Sequence, residues 1–207
     1  GHGDSDTPPG PYAFDDLVAD VLGLMDHYGI GRAHFMGLSL GGMTGLGLGL
    51  LHPDRVDRLI VADARADAPE PFVKSWDDRI AVIEEKGLPA LWPGTLERWL
   101  TAETQARDPE VVERLRGAFL KTRPEGYIAC AAALKGLDYL KDLGRMSRPT
   151  LYVVGAEDMG APPSAMKAMA DATPGSRYVE VPHAAHIANV DNPVAFDTAV
   201  VRFLGLD

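Results

Sequence analysis

Five residues, Gly37-Leu38-Ser39-Leu40-Gly41, carry the clearest chemistry in this chain. Their G-x-S-x-G pattern sets a serine on a sharp strand-to-helix turn, with glycines on either side where side chains would collide. A hydroxyl held out in this way can attack an acyl carbon. It does so only if a neutral imidazole takes its proton and a carboxylate orients that imidazole. In an α/β sheet the partners follow in the order serine, acid, histidine. His186, in His183-Ala184-Ala185-His186-Ile187 after the last predicted strand, is the favoured base. His183 is its rival, though it more readily caps or packs the loop. Asp158, reached through Gly155-Ala156-Glu157, is the favoured acid, and Asp63, at the end of the preceding strand, is the rival. The oxyanion of the tetrahedral intermediate needs two N–H donors. The Leu40 amide is one. The other belongs on a loop after an earlier strand, which this sequence does not contain.

These residues need a scaffold that brings them together. Apolar residues recur at helical spacing from Asp15 to Tyr28, and Gly29 can close that helix. Short runs at 33–36, 58–62, 150–154 and 177–181 are rich in strand formers and bounded by Pro, Gly or Asp. Helices are expected over 40–52, stopped by Pro53, over 164–171, and from the Asn192-Pro193 cap to about Leu204. Strands alternating with helices specify an α/β fold with a mostly parallel sheet. Gly41, Gly45 and Gly49 form a stripe that would let the helix after Ser39 lie close against that sheet.

One crossover is far too long. Between the strands at 58–62 and 150–154 the chain reads as helices over 72–86, 96–103, 109–121 and 125–134, and it holds Trp76, Trp92 and Trp99. A dozen or so residues would suffice for such a connection. The expected organisation is therefore a core of residues 1–65 and 145–207 with an inserted helical cap, residues 66–144, above the C-terminal edge of the sheet, where α/β proteins bind ligands.

Composition narrows the partners. A net charge of −10 argues against nucleic acid or an anionic membrane. The single cysteine, Cys130, excludes an internal disulfide and fits a reducing cytoplasm. The first residues do not read as a signal peptide.

With these motifs in place, the chain resembles an α/β-hydrolase of the 3-oxoadipate enol-lactonase group. The matching stretches are Gly1-His2-Gly3-Asp4-Ser5, Gly37-Leu38-Ser39-Leu40-Gly41-Gly42, Trp76-Asp77-Asp78-Arg79-Ile80, Glu97-Arg98-Trp99, Thr122-Arg123-Pro124-Glu125-Gly126-Tyr127 with Ala129-Cys130, and Ala184-Ala185-His186-Ile187-Ala188-Asn189. The resemblance implies Ser39 as nucleophile, Asp158 as acid and His186 as base. It also implies opening of the enol-lactone of the β-ketoadipate pathway, without metal or cofactor. Such a substrate carries a carboxylate, which needs a cation or N–H donor beneath the cap. Arg65, Arg79 and Trp76 are candidates, and each also reads plainly as a surface cation or a core aromatic. Trp99 joins them through the cap match.

The alternatives stay open at this stage. A carboxylesterase would use the same triad on another acyl substrate, and a ligand-binding relative without catalysis would keep the fold. A serine at position 39, where a dehalogenase needs aspartate, argues against halide displacement. Asp63-Ala64-Arg65-Ala66-Asp67 departs from the family's Asn/Asp-Thr-Ala run. The resemblance also places Gly1 after the fourth of eight strands. The expectation is an incomplete domain, with about fifty or sixty preceding residues removed or supplied by another chain.

Overall fold

The computed structural model describes residues 2–206; Gly1 and Asp207, the two ends of the expected core and the first residue of one matching stretch, lie outside the described residues. Helix α1 (Phe14–His27) leads to strand β1 (Ala33–Leu38), helix α2 (Leu40–Leu51) and strand β2 (Val56–Ala62). A helical stretch follows: α3 (Glu70–Lys86), α4 (Trp92–Trp99), α5 (Ala102–Arg107), α6 (Pro109–Leu120) and α7 (Pro124–Lys135). The chain then returns through β3 (Thr150–Gly155), α8 (Pro163–Ala172), β4 (Arg177–Val181), the short α9 (Ala188–Asp191) and α10 (Pro193–Leu204).

The four strands form one parallel sheet in the order β1-β2-β3-β4. Side chains alternate between its faces, and the two faces bury different helices. Leu59, Val61, Tyr152 and Val154 pack with Val18 of α1, Leu46 and Leu48 of α2 and Met166 and Met169 of α8. Ile60, Ala62, Leu151 and Val153 pack with Phe196 and Phe203 of α10. This arrangement is why β3 is buried along its whole length and reads as an unbroken apolar run.

The helical stretch has a cluster of its own, built on Ile83, Leu88, Leu91, Trp92 and Phe119. Where it leaves and rejoins the sheet the chain lies side by side. Asp67 bridges Asp138, and the amides of Tyr139 and Leu140 both donate to the Ala66 carbonyl at 2.7 and 2.9 Å.

Two expectations need correction. The helix expected over 96–103 is broken: Leu100 is extended and almost fully buried, and Thr101 caps a new helix, its hydroxyl accepting the Thr104 amide. The break is held from outside the segment: the Thr101 amide donates to the Asp191 carboxylate, 90 positions away. The glycine stripe is also displaced. A Cβ on Gly45 or Gly49 would press on Leu59, but one on Gly41 would meet nothing within 4 Å, whereas one on Gly42 would meet Ala64 at 2.9 Å. Among the described residues no helix is long and apolar enough to cross a membrane.

Candidate active site

Ser39 sits between the last residue of β1 and the first of α2, with φ 53° and ψ −116°. A left-handed φ is strained for serine, and strain of this kind persists where the surroundings enforce it. Here they do. The Ser39 amide donates to the Ala62 carbonyl at 2.8 Å, and the α2 backbone passes so close that a Cβ on Gly37 would stand 2.2 Å from the Gly41 carbonyl group. The steric demand of the motif therefore falls on Gly37, while Gly41 faces open space. Leu40 opens α2, so its N–H is one of the amides a helix cannot satisfy internally and is free to meet an anion.

The structure brings Asp158 and His186 to this serine. Asp158 follows β3 and is 3% exposed. Its Oδ1 accepts the amides of Gly160 and Ala161 at 2.7 and 3.1 Å, which fixes the carboxylate. Its Oδ2 lies 2.8 Å from Nδ1 of His186, and Nε2 of His186 lies 2.9 Å from Oγ of Ser39. The network assigns the tautomer: Nδ1–H donates to the carboxylate, so Nε2 accepts the serine hydroxyl. His183 is exposed, in a turn with φ 53°, and does not join the network.

Asp63 is fully buried at the end of β2, also with positive φ. The Gly155 amide donates to its Oδ1 at 2.8 Å, while Oδ2 is buried and has no hydrogen-bond partner among the described residues. Burial pushes this carboxyl up to about 7, against the pull of the Gly155 amide and of His186. The two rival acids thus differ in kind. Asp158 holds the imidazole directly; Asp63 braces the start of the loop that carries Asp158.

Ser39 and His186 open into a cavity of about 1060 Å³ between the C-terminal end of the sheet and the helical stretch. Trp76, Arg79, Trp99 and Arg65 all line it. So do Arg98 and Tyr127, which the spacing of the sequence did not single out. Arg79 lies over the Trp76 ring, 4.3 Å from its centroid. Burial and the neighbouring charge of Arg79 push the Arg98 guanidinium below its usual range, and the Tyr127 hydroxyl, itself raised by burial, lies beside both guanidiniums. Among the described residues neither Arg79 nor Arg98 forms an ion pair with a carboxylate. Arg65 differs: its Nη2 is 3.0 Å from Oδ1 of Asp67, so its charge is already met. The Trp76 indole N–H is buried and has no acceptor among the described residues. Two guanidiniums in one cavity, held by the neutral oxygens of Thr95 and Tyr127 and not by a carboxylate, are a setting for an anion. Among the described residues no cluster of His, Cys, Asp or Glu is arranged to hold a metal ion.

Comparison with known proteins identifies the fold. The family model for the alpha/beta hydrolase fold matches residues 1–193. The chain is 37% identical over 200 residues to 3-oxoadipate enol-lactonase 2 of Acinetobacter baylyi, covering 97% of this chain and 74% of that protein. The enol-lactonase from Burkholderia xenovorans LB400 superimposes with a TM-score of 0.94 at 38% identity, over 99% of this chain and 77% of the other. A thermophilic esterase from Thermogutta terrifontis, solved with malate bound, gives 0.92 at 30% identity, over 100% and 77%. The strained serine after β1, the acid after β3 and the histidine after β4 stand on a parallel sheet of this kind, and the chain belongs to the alpha/beta hydrolase fold family.

Proposed function

We propose that this hydrolase opens 3-oxoadipate enol-lactone to 3-oxoadipate through an acyl-enzyme on Ser39. One observation carries the reading: the hydrogen-bonded series Asp158–His186–Ser39 shares a cavity with the guanidiniums of Arg79 and Arg98. The identity to an enol-lactonase over almost the whole chain supports the choice of substrate. The malate held by the esterase relative supports capture of a small carboxylate.

The chemistry runs as follows. The substrate carboxylate pairs with Arg79 and Arg98, while Trp99 and Trp76 supply apolar walls. The Ser39 hydroxyl gives its proton to Nε2 of His186 as Oγ attacks the lactone carbonyl. Asp158 holds the imidazolium that forms. The carbonyl oxygen becomes an oxyanion beside the Leu40 amide. Collapse breaks the C–O bond of the ring and expels an enolate, which takes the proton held on Nε2 of His186 and tautomerises to the ketone, leaving the imidazole neutral again. That leaving group is stabilised and demands little acid assistance. The opened chain remains tethered to Ser39 as one ester. His186 then removes a proton from water as the water oxygen attacks the ester, and returns that proton to Oγ as the acid leaves and the serine is regenerated. Residues 66–144 act as a cap that keeps the anion over the nucleophile.

A carboxylesterase activity on neutral esters is the second reading, favoured by the esterase relative and by the mostly apolar walls of the cavity. Steady-state rates on the enol-lactone and on a simple chromogenic ester, measured side by side, separate the two. A kcat/KM for the lactone at least about a hundredfold higher supports the lactonase. Equal values, or a preference for the neutral ester, overturn it.

A further inference from the structure

The carboxylate of Asp191 enters no step above, yet it is 3% exposed and fully engaged. Asp191 ends α9, the short helix after His186. Its Oδ2 accepts the amide of Ala185, the residue before His186, at 2.7 Å. Its Oδ1 accepts the amide and the hydroxyl of Thr101 at 3.1 and 3.0 Å. Thr101 stands just beyond α4, whose last turn carries Arg98 and Trp99 into the cavity. One carboxylate thus joins the histidine loop to the end of the helix that presents a substrate-facing cation.

Backbone bonds reinforce the same junction. The amide of His186 donates to the Arg98 carbonyl at 3.4 Å, and that of Ile187 to the Trp99 carbonyl at 2.9 Å. Arg107 of α5 donates to the Asp191 carbonyl at 3.1 Å, not to its carboxylate. The side-chain charge is therefore met by neutral donors, each strengthened by it; such charge-assisted bonds are roughly twice as strong as neutral ones. These bonds make the junction a clamp between the end of α4 and the histidine loop.

We propose that Asp191 is a positioning residue: it locks the end of α4 to the histidine loop, so that anion capture by Arg98 and alignment of His186 with Ser39 become one event. In the part assigned to Arg98, this rests on the anionic-substrate reading given above.

The test is a double-mutant cycle with Asp191→Asn and Arg98→Ala, on the anionic enol-lactone and on a neutral ester. Asparagine keeps the shape but turns an NH₂ toward donors that need an acceptor. Asp191→Asn is expected to lower kcat on the neutral ester about tenfold or more with KM within about twofold, because the base is misaligned while binding is not. On the lactone the two substitutions are expected to be non-additive by about fivefold or more, since cutting the tie removes part of what Arg98 contributes. A purely structural role would lower thermal stability and leave the effects multiplicative. Neutral-ester kcat within twofold of the parent, or independent effects on the lactone, overturns the clamp. If Arg98→Ala leaves lactone kinetics untouched, the substrate reading fails instead, and the neutral-ester kcat of Asp191→Asn decides the clamp alone. Should Asp191→Asn not fold, Thr101→Val removes one hydroxyl donor at the junction. A kcat loss of about threefold then supports the proposal, and none overturns it.

Discussion

Nε2 of His186 stands 2.9 Å from Oγ of Ser39, although 147 positions separate the two residues in the chain. That contact needs β1, β3 and β4 to end at the same edge of one parallel sheet, and it sets the first test. Ser39→Ala leaves nothing for the imidazole to activate. Turnover should fall by on the order of a millionfold while the fold is kept, read as an unchanged far-UV circular dichroism spectrum beside the rate. Near-normal turnover would exclude the serine mechanism.

The two buried carboxyls should separate cleanly. Asp158→Asn removes the acceptor of the Nδ1 proton and should reduce kcat by about ten-thousandfold, the scale expected when the base loses its orienting acid. Asp63→Asn keeps an oxygen for the Gly155 amide and should change kcat far less. If the Asp63 substitution is the more damaging of the pair, Asp158 is not the acid.

Asp63 also predicts a pH dependence of stability. Burial raises its folded value to about 7 from an ordinary 3.8. Below the lower value both states hold the proton and the group contributes nothing. As pH rises toward 7 the unfolded chain ionises first, so stability falls across that window, by up to about 4 kcal/mol, and the loss is complete above it. Asp63→Asn carries no such penalty. Its melting temperature relative to the parent should climb between roughly pH 4 and pH 7 and then level off. Parallel melting curves across that range would contradict the buried-carboxyl account.

For the anion site, Arg79→Ala and Arg98→Ala should each raise KM for the lactone by about ten- to a hundredfold and leave KM for a neutral ester within about threefold. Arg65→Ala should affect lactone binding less, because Asp67 already holds its charge. Equal penalties on both substrates would make these arginines packing residues.

Gly155 provides a steric test. A Cβ there would lie 2.1 Å from the Ala185 carbonyl oxygen and 2.5 Å from that of Ala184. Because the obstacle is backbone, Gly155→Ala must displace the loop that carries His186. It should cost at least about 3 kcal/mol in stability, beyond ordinary overpacking, together with most of the activity. Urea denaturation and steady-state rates check both. An unperturbed variant would mean that the histidine loop is loosely held.

Much of this molecule was legible in its residues. Ser39, Asp158 and His186 were named by type, order and motif, and β4 and α10 by strand formers and by the Asn192-Pro193 cap, because these signals are local. The helical character of the inserted stretch was legible too, but four helices were expected there and five, α3 to α7, are present. The break at Leu100 was not legible, because it rests on Leu100 turning extended into the interior and on Thr101 bonding to a carboxylate far away in sequence. The choice between Asp158 and Asp63 also needed the fold: both follow strands that end at the same edge, and only the loop geometry after β3 aims one carboxylate at Nδ1. Arg98 stood in the sequence only as part of a matching stretch and Asp191 was not singled out at all; α4 turns the one into the cavity, and Thr101 meets the other across 90 positions of chain. Short-range chemistry is written in residue type and spacing, but which charges are left unpaired, and which backbone segments share one carboxylate, depends on distances that exist only after the sheet has closed on its helices.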